Sequence, residues 1–288
     1  MAAKTRENRI LAAPLVLFLL ALLGFPAVVD LIYSFSAVSF ENLRAPELSG
    51  LQNYKAVLSD PEYGRAAWFS LRFGLITAFF ETIFGLFLAV FLAPLLKRHS
   101  WLMAILMMPM IIAPSLMGLM YRLVLHEFVG PLPHYLFMLF GDSPAFLGPD
   151  WVFTTIVAIE TLQWTPFTLL LFFTAWSAIP QEVREVAAVD GTTGWRRFWK
   201  IEFPLILPTV GIAFGVRFID GFRVFDNIYV LTGQGPGGST TSMSIYIYSE
   251  FFKSGDIGKA VAASVILFAV AFAGLWLIAR ALPRRDAR

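Results

Sequence analysis

The sequence predicts an all-α membrane protein, six transmembrane helices with a polar helical hairpin between the fourth and the fifth. Three observations predict it. Hydrophobic residues make up 58% of the 288 and charged residues only 15%, where a soluble chain carries about 25% charged residues; the mean hydropathy is +0.70. Six runs are long and apolar enough to cross a bilayer, which takes about 20 helical residues. Between the fourth and fifth lies P-Q-E-V-R-E-V-A-A-V-D-G-T-T-G-W-R-R-F-W-K-I-E-F-P, residues 180–204, dense in charge and in helix-boundary residues.

The first run, from about Ile10 to Phe35, follows Lys4, Arg6 and Arg9. A cleaved signal peptide also starts on basic residues, but its apolar core spans about 7–15 residues and ends at an A-x-A-like site. This run is longer and has no such site. The second runs from about Ala66 to Leu96, the third from Trp101 to Leu125 and the fourth from Trp151 to Ile179. The fifth runs from Leu205 to Leu231 and the sixth from Ala260 to Leu282, so the chain reads as one transmembrane domain over 1–288.

Lys and Arg favour the cytoplasmic side of a membrane. Thirteen fall on the side of both termini, the second-to-third loop (Lys97, Arg98) and the hairpin (Arg184, Arg196, Arg197, Lys200). Five fall on the other: Arg44, Lys55, Arg65, Lys253 and Lys259. The termini and the hairpin are therefore expected in the cytoplasm. The outer loops, 37–65 and 126–150, are long and rich in Pro, Gly and Asp, and 232–240 reads T-G-Q-G-P-G-G-S-T. That last stretch is no phosphate loop, because G-x-x-x-x-G-K-[ST] needs a Lys that is missing here.

The hairpin opens with Pro180 and places Glu182 and Glu185 in its first turns, where the helix dipole favours anions. Asp190-Gly191 breaks it, since Gly accepts left-handed backbone and Asp favours turns. Trp195, Phe198, Trp199 and Ile201 then alternate with Arg196, Arg197 and Lys200 as a second amphipathic run, which Pro204 is expected to close. An interfacial hairpin among lipid headgroups explains the second half. A surface that docks on a protein explains both halves.

Several function classes are excluded. No cysteine is present, so there is no disulfide, Cys-ligated zinc, iron–sulfur cluster or thiol nucleophile. His99, His126 and His134 have no metal-ligand spacing, so no metal or other cofactor is expected. H-E-x-x-H and G-x-S-x-G are absent and no catalytic residues are assigned. A net charge of +2 gives no reason to expect nucleic acid.

Glu185-x-Ala187-x-x-Asp190-Gly191, nine residues, then Ile201-x-Phe203-Pro204 resembles the EAA loop of ABC-importer permeases. Val186 stands where that family usually has Ala, and Phe203 where it has Leu. Gly50-Leu51-Gln52-Asn53-Tyr54, Leu58-Ser59-Asp60-Pro61, Met108-Pro109 with Pro114, Trp164-Thr165-Pro166-Phe167 and Leu231-Thr232-Gly233 through Gly235-Pro236-Gly237 are similar to stretches of its sugar-importing, maltose and glycerol-phosphate branch. The resemblance implies that the loop is a coupling helix seated on a cytoplasmic ATPase subunit, with Glu185, Ala187, Asp190, Gly191, Ile201 and Pro204 as its coupling residues. It also implies a bacterial or archaeal cytoplasmic (inner) membrane location, and a sugar or polyol as solute. The implied partners are a second related permease, two ATP-binding cassette ATPase subunits and an extracytoplasmic solute-binding protein. ATP hydrolysis then belongs to the partner, in keeping with the missing Walker motif.

Charged groups inside a membrane cost about 2.5–3.5 kcal/mol each on insertion scales, so each calls for a reason. Arg217, Asp220, Arg223 and Asp226 recur every three residues, with Asn227 next; such spacing allows neighbours to pair along one helix face. Glu160, Gln163 and Trp164 share a face of the fourth span. These eight residues either lock helices together or line a hydrated path, where carboxylates and guanidinium groups meet hydroxyls and an indole meets a sugar ring. Glu81 is isolated, and a partner helix, Arg72 or Arg217 could pair it. Asp30 and Arg122 read as structural groups near the outer interface. Gly211-x-x-x-Gly215 could let two helices approach. An ion-coupled secondary transporter also places charges at mid-membrane, but such proteins often show internal repeats, and none is evident between the halves.

Overall fold

The structure is a computed structural model that describes residues 12–281. The basic residues expected at the two ends, Lys4, Arg6, Arg9, Arg284, Arg285 and Arg288, lie outside the described residues, as do Ile10 and Leu282, which were expected to bound the outermost spans. In order, the elements are α1 (Ala12–Ser34), β1 (Ser36–Ala37), β2 (Glu47–Leu48), α2 (Gln52–Leu58) and α3 (Pro61–Phe91). Then come α4 (Ala93–Arg98), α5 (Trp101–Ile111), α6 (Pro114–Val124), α7 (Pro131–Phe140), α8 (Val152–Ser177) and α9 (Gln181–Val189). The rest are α10 (Gly194–Phe222), α11 (Asp226–Thr232), α12 (Met243–Ser249) and α13 (Ile257–Ala281). The strands form a two-residue antiparallel ladder, Ser36 opposite Leu48.

Among the described residues, α1, α3, α8, α10 and α13 are long and apolar enough to cross a membrane singly. A sixth span exists only if α5 and α6 are taken together. The third run, expected as one helix, is broken and bent by 83° between them. The cause is local. Pro114 opens α6, and the residues ahead of a proline are pushed out of the helical region; Ile112 and Ala113 are extended, with ψ of 131° and 136°.

The fifth run is broken too: α10 stops at Phe222 and α11 starts at Asp226. No proline marks this break. Its freed carbonyls are taken from elsewhere, Val224 O by the Ser242 hydroxyl at 2.6 Å and Arg223 O by that of Ser244 at 2.8 Å. At its other end α10 is longer than expected. Pro204 does not close a short helix but lies inside a continuous one. The turn before it, Phe198–Glu202, is a π turn, and the Phe203 N–H reaches back to Phe198 O. A wider turn relieves the clash a proline ring makes with the carbonyl four residues earlier.

The chain divides into two compact units. One holds the described residues up to Gly64 with Tyr246–Ala269. Its apolar cluster gathers Val38, Ile257 and Val261 with Tyr33 and Phe251. Asn53 Nδ2 donates to Ser34 O at 3.1 Å and Ser36 O at 2.8 Å, and the Tyr54 hydroxyl to Ser34 Oγ at 2.8 Å. Asp60 accepts from Lys259 Nζ and from the Tyr246 hydroxyl, each at 2.8 Å.

The other unit holds Arg65–Ile245 and the described residues from Val270. One of its cores collects Phe69, Phe73, Ile156, Ile228, Leu231 and Ile245; another collects Ala89, Leu169, Phe172, Ile206, Val210 and Ala213. Helices α3 and α10 touch backbone to backbone at Gly74 and Gly221: a Cβ on Gly74 would lie 2.8 Å from Phe222 N. This contact brings Glu81 and Arg217 within reach of each other.

Candidate functional site

Arg217 lies on α10, one turn before Asp220, and is 1% exposed. Its Nε donates to Glu81 Oε2 at 2.6 Å and its Nη2 to Glu81 Oε1 at 3.2 Å. Nη2 also reaches Glu160 Oε1 at 3.3 Å, and Nη1 reaches Asp220 Oδ2 at 3.3 Å. The Trp164 ring covers the guanidinium face, 4.4 Å from its carbon to the ring centre. One buried cation thus serves carboxylates from α3, α8 and α10. Of the three ways left open for Glu81, the structure takes Arg217; Arg72 lies over the Phe153 ring at 3.8 Å instead.

The second oxygen of Glu160 accepts from Asn227 Nδ2 on α11. Arg223, mostly exposed, donates from Nη2 to Asp220 Oδ1 at 2.9 Å. Removing such charges from water costs several kcal/mol per ion, and only close, well-directed partners compensate. Here each buried carboxylate has them.

Around this cluster opens a cavity of about 410 Å³. Seven of the eight expected pathway residues line it: Glu160, Trp164, Arg217, Asp220, Arg223, Asp226 and Asn227. Gln163 does not. It turns to the broken span, and its Nε2 donates to Ile112 O, freed by the bend, at 3.0 Å. Asp226 opens α11 beyond the break, so it shares no helix face with Arg223, and it makes no side-chain hydrogen bond or ion pair among the described residues. Pro114, Val224 and Phe225 complete the wall; sequence reading marked Pro114 only through its family resemblance and passed over the other two. Arg122 donates to Val230 O at 3.2 Å, a structural bond, as expected.

The hairpin is α9 followed by the first turns of α10. Gly191 carries a φ of +68°, and the chain turns there while Thr192 N and Oγ1 both donate to Ala187 O, at 2.9 and 2.6 Å. Ala187 is buried by this closure. Glu185, Asp190, Gly191 and Pro204 are exposed and Ile201 is half-buried. Val186, Val189, Trp195 and Trp199 are exposed apolar side chains.

Glu202, within the same charged stretch, is the residue that sequence reading missed. It is 2% exposed. Its carboxylate pairs with Arg184 Nε at 3.1 Å and Arg197 Nε at 3.3 Å and accepts from Trp176 Nε1 at 3.1 Å. Arg184 also stacks on the Trp176 ring at 4.0 Å and donates to Trp176 O. The end of α8, the helix α9 and the start of α10 are tied at one point. A single acid among Arg196, Arg197 and Lys200 was the available signal.

The family described as "Binding-protein-dependent transport system inner membrane component" matches residues 1–286. The chain is 37% identical over 221 residues to a trehalose/maltose transport system permease of Thermococcus litoralis, covering 76% of this chain and 74% of that protein. It is 31% identical over 280 residues to a sulfoquinovosyl glycerol transport system permease of Agrobacterium fabrum, covering 96% and 90%. A chain from a bacterial ABC transporter involved in the import of the acidic polysaccharide alginate has the same fold, with a TM-score of 0.84 over 99% of each chain at 19% identity.

Proposed function

The chain belongs to the family of binding-protein-dependent transport system inner membrane components, and on that premise we propose that it forms half of the pathway of an ATP-driven importer for a sugar, polyol or similar carbohydrate. The named cargoes of its relatives support the carbohydrate class. A second related permease supplies the other half. Two cytoplasmic ATPase subunits supply the energy, and an extracytoplasmic binding protein delivers the solute. The related alginate transporter has been solved with a pentasaccharide-bound periplasmic protein, which supports that last partner. Family membership sets aside the ion-coupled alternative.

In this reading the hairpin and both termini face the cytoplasm and the hairpin docks on the ATPase. The cavity at Arg217 carries the solute. One observation supports the coupling above all: α10 runs unbroken from Gly194 in the hairpin to Phe222 beside the cavity. From Trp195 to Arg217 it is a single rod of about 33 Å. Glu185 is exposed and makes no side-chain hydrogen bond or ion pair among the described residues, so the fold does not need it.

The test uses the complete transporter in proteoliposomes. Glu185→Lys is expected to leave assembly and thermal stability unchanged while solute-stimulated ATP hydrolysis and uptake fall at least about tenfold, the loss of roughly 1.4 kcal/mol of coupling. Normal uptake by Glu185→Lys, in a complex that assembles normally, would remove the hairpin from the coupling path.

A further inference from the structure

We infer that the cavity at Arg217 admits neutral or cationic glycosides and rejects acidic ones. This rests on the reading of the cavity as the solute path. Kinship leaves the charge open, since relatives are named for trehalose and maltose but also for sulfoquinovosyl glycerol and sn-glycerol-3-phosphate. The cavity's own residues decide it.

Glu160, Asp220 and Asp226 line the cavity against Arg217 and Arg223, and the lining holds no lysine or histidine. The lining thus carries three carboxylates for two guanidinium groups. Arg217 is not free to receive an anion, and Arg223 is already shared with Asp220. Arg217 is buried, bonded to Glu81, Glu160 and Asp220 and covered on one face by Trp164. Arg223 is exposed but holds Asp220 Oδ1 at 2.9 Å. An anion approaching Arg223 therefore meets the Asp220 carboxylate as well.

Asp226 is exposed to the cavity without a partner among the described residues. A phosphate, sulfonate or uronate would meet this carboxylate at close range. A sugar hydroxyl would instead donate to it, and an ammonium group would pair with it. Low-dielectric walls focus the field of whatever net charge they carry, so the excess acts on any solute that enters.

The experiment takes the detergent-purified complex of both permeases and the ATPase subunits, without the binding protein, whose own selectivity is thereby kept out. Binding of three size-matched disaccharides is titrated by saturation-transfer NMR: maltose, a glucosamine disaccharide and a glucuronic-acid disaccharide. The acidic sugar is expected to bind at least about tenfold more weakly than maltose at low salt. The gap should narrow at about 0.5 M salt, where charges are screened, and again in Asp226→Asn, whose side chain supports no fold contact. Acidic binding as tight as neutral binding overturns the inference and leaves the solute path standing. A gap indifferent to both salt and Asp226→Asn also overturns it, because exclusion is then steric. Absence of binding by all three sugars removes the sugar-path reading itself, and the inference with it.

Discussion

Replacing Arg217 with methionine isolates what holds α3, α8 and α10 together. Methionine keeps most of the apolar stem and deletes the guanidinium. Glu81, fully buried, then loses its two hydrogen bonds, which come from Arg217; Glu160 keeps only Asn227. Removing one partner of a buried ion pair costs about 3–5 kcal/mol, because a charge is left uncompensated. Glu81→Gln is a different perturbation at the same contact. Arg217 keeps Glu160 and Asp220, and the new amide oxygen still accepts one bond, so the loss is that of one charge-assisted hydrogen bond, about 1.5–3 kcal/mol. The neutral amide also removes one negative charge from a cluster that has more carboxylates than guanidiniums, which pulls the cost toward the lower figure.

The assay is thermal unfolding of the detergent-solubilised transporter, followed by tryptophan fluorescence. For a chain of this size, 1 kcal/mol corresponds to roughly 2–4 °C, so Arg217→Met should lower the transition by about 10 °C and Glu81→Gln by about half of that or less. The double variant should cost less than the sum of the two, since both edit one contact. Wild-type stability in Arg217→Met, or a larger loss in Glu81→Gln than in Arg217→Met, would refute the assignment of Arg217 as the hub of the three helices.

Three further outcomes follow from particular contacts. Gly74→Ala forces a methyl against Phe222 N and Phe218 O, at 2.8 and 2.9 Å, and should destabilise by about 1–3 kcal/mol, read as a lower transition temperature; Gly221→Ala should do the same, and the pair together less than the sum. Glu202→Gln deletes the ion pairs to Arg184 and Arg197 and should lower solute-stimulated ATP hydrolysis in proteoliposomes while lowering the transition temperature less than Arg217→Met does, because it frees the hairpin and leaves the contacts around Arg217 in place. Burial alone would raise the Asp60 carboxyl, but hydrogen bonds from Lys259, Tyr246 and the Glu62 backbone outweigh it, and with the Lys259 charge hold it down at about 2. An unfolded Asp titrates at about 3.9, so this stabilisation is present above about pH 4 and is lost as pH falls toward 2. Asp60→Asn should flatten that part of an acid-unfolding curve.

The spans were legible because a bilayer demands length and apolarity, and both can be counted along a chain. Their interruptions were legible only where a residue imposes them. Pro114 breaks the third run through its own ring, a local cause. The break after Phe222 has no local cause, because Ser242 and Ser244, about twenty residues on, make it affordable by accepting the duty of bonding its carbonyls. The ladder at steps of three therefore held from Arg217 to Arg223 and failed at Asp226. Glu81 and Arg217 are 136 residues apart, and the glycines that bring them together, Gly74 and Gly221, look like any other glycine in an apolar run. The EAA-like motif marked the hairpin but hid its division of labour: Ala187 serves the turn, whereas Glu185, Val186 and Val189 are exposed.

Where the helices break and where they do not is itself an argument about mechanism. Both breaks lie next to the cavity, at Ile112–Ala113 and at Arg223–Phe225, and each leaves carbonyls that side chains such as Gln163, Ser242 and Ser244 must satisfy. Backbone of this kind can rearrange by exchanging one bond for another. The hairpin end is built in the opposite way. Trp176 lies at the end of α8, Glu202 in the third turn of α10, and Arg184 from α9 clasps both, so a displacement of α9 is handed to both helices at that point. In the proposed coupling it tilts α8 and α10 together, and these are the two helices that carry Glu160, Trp164, Arg217 and Asp220. A stiff handle on one end and interrupted helices at the other place the compliance at the cavity, which is where a transporter that alternates its access has to change shape.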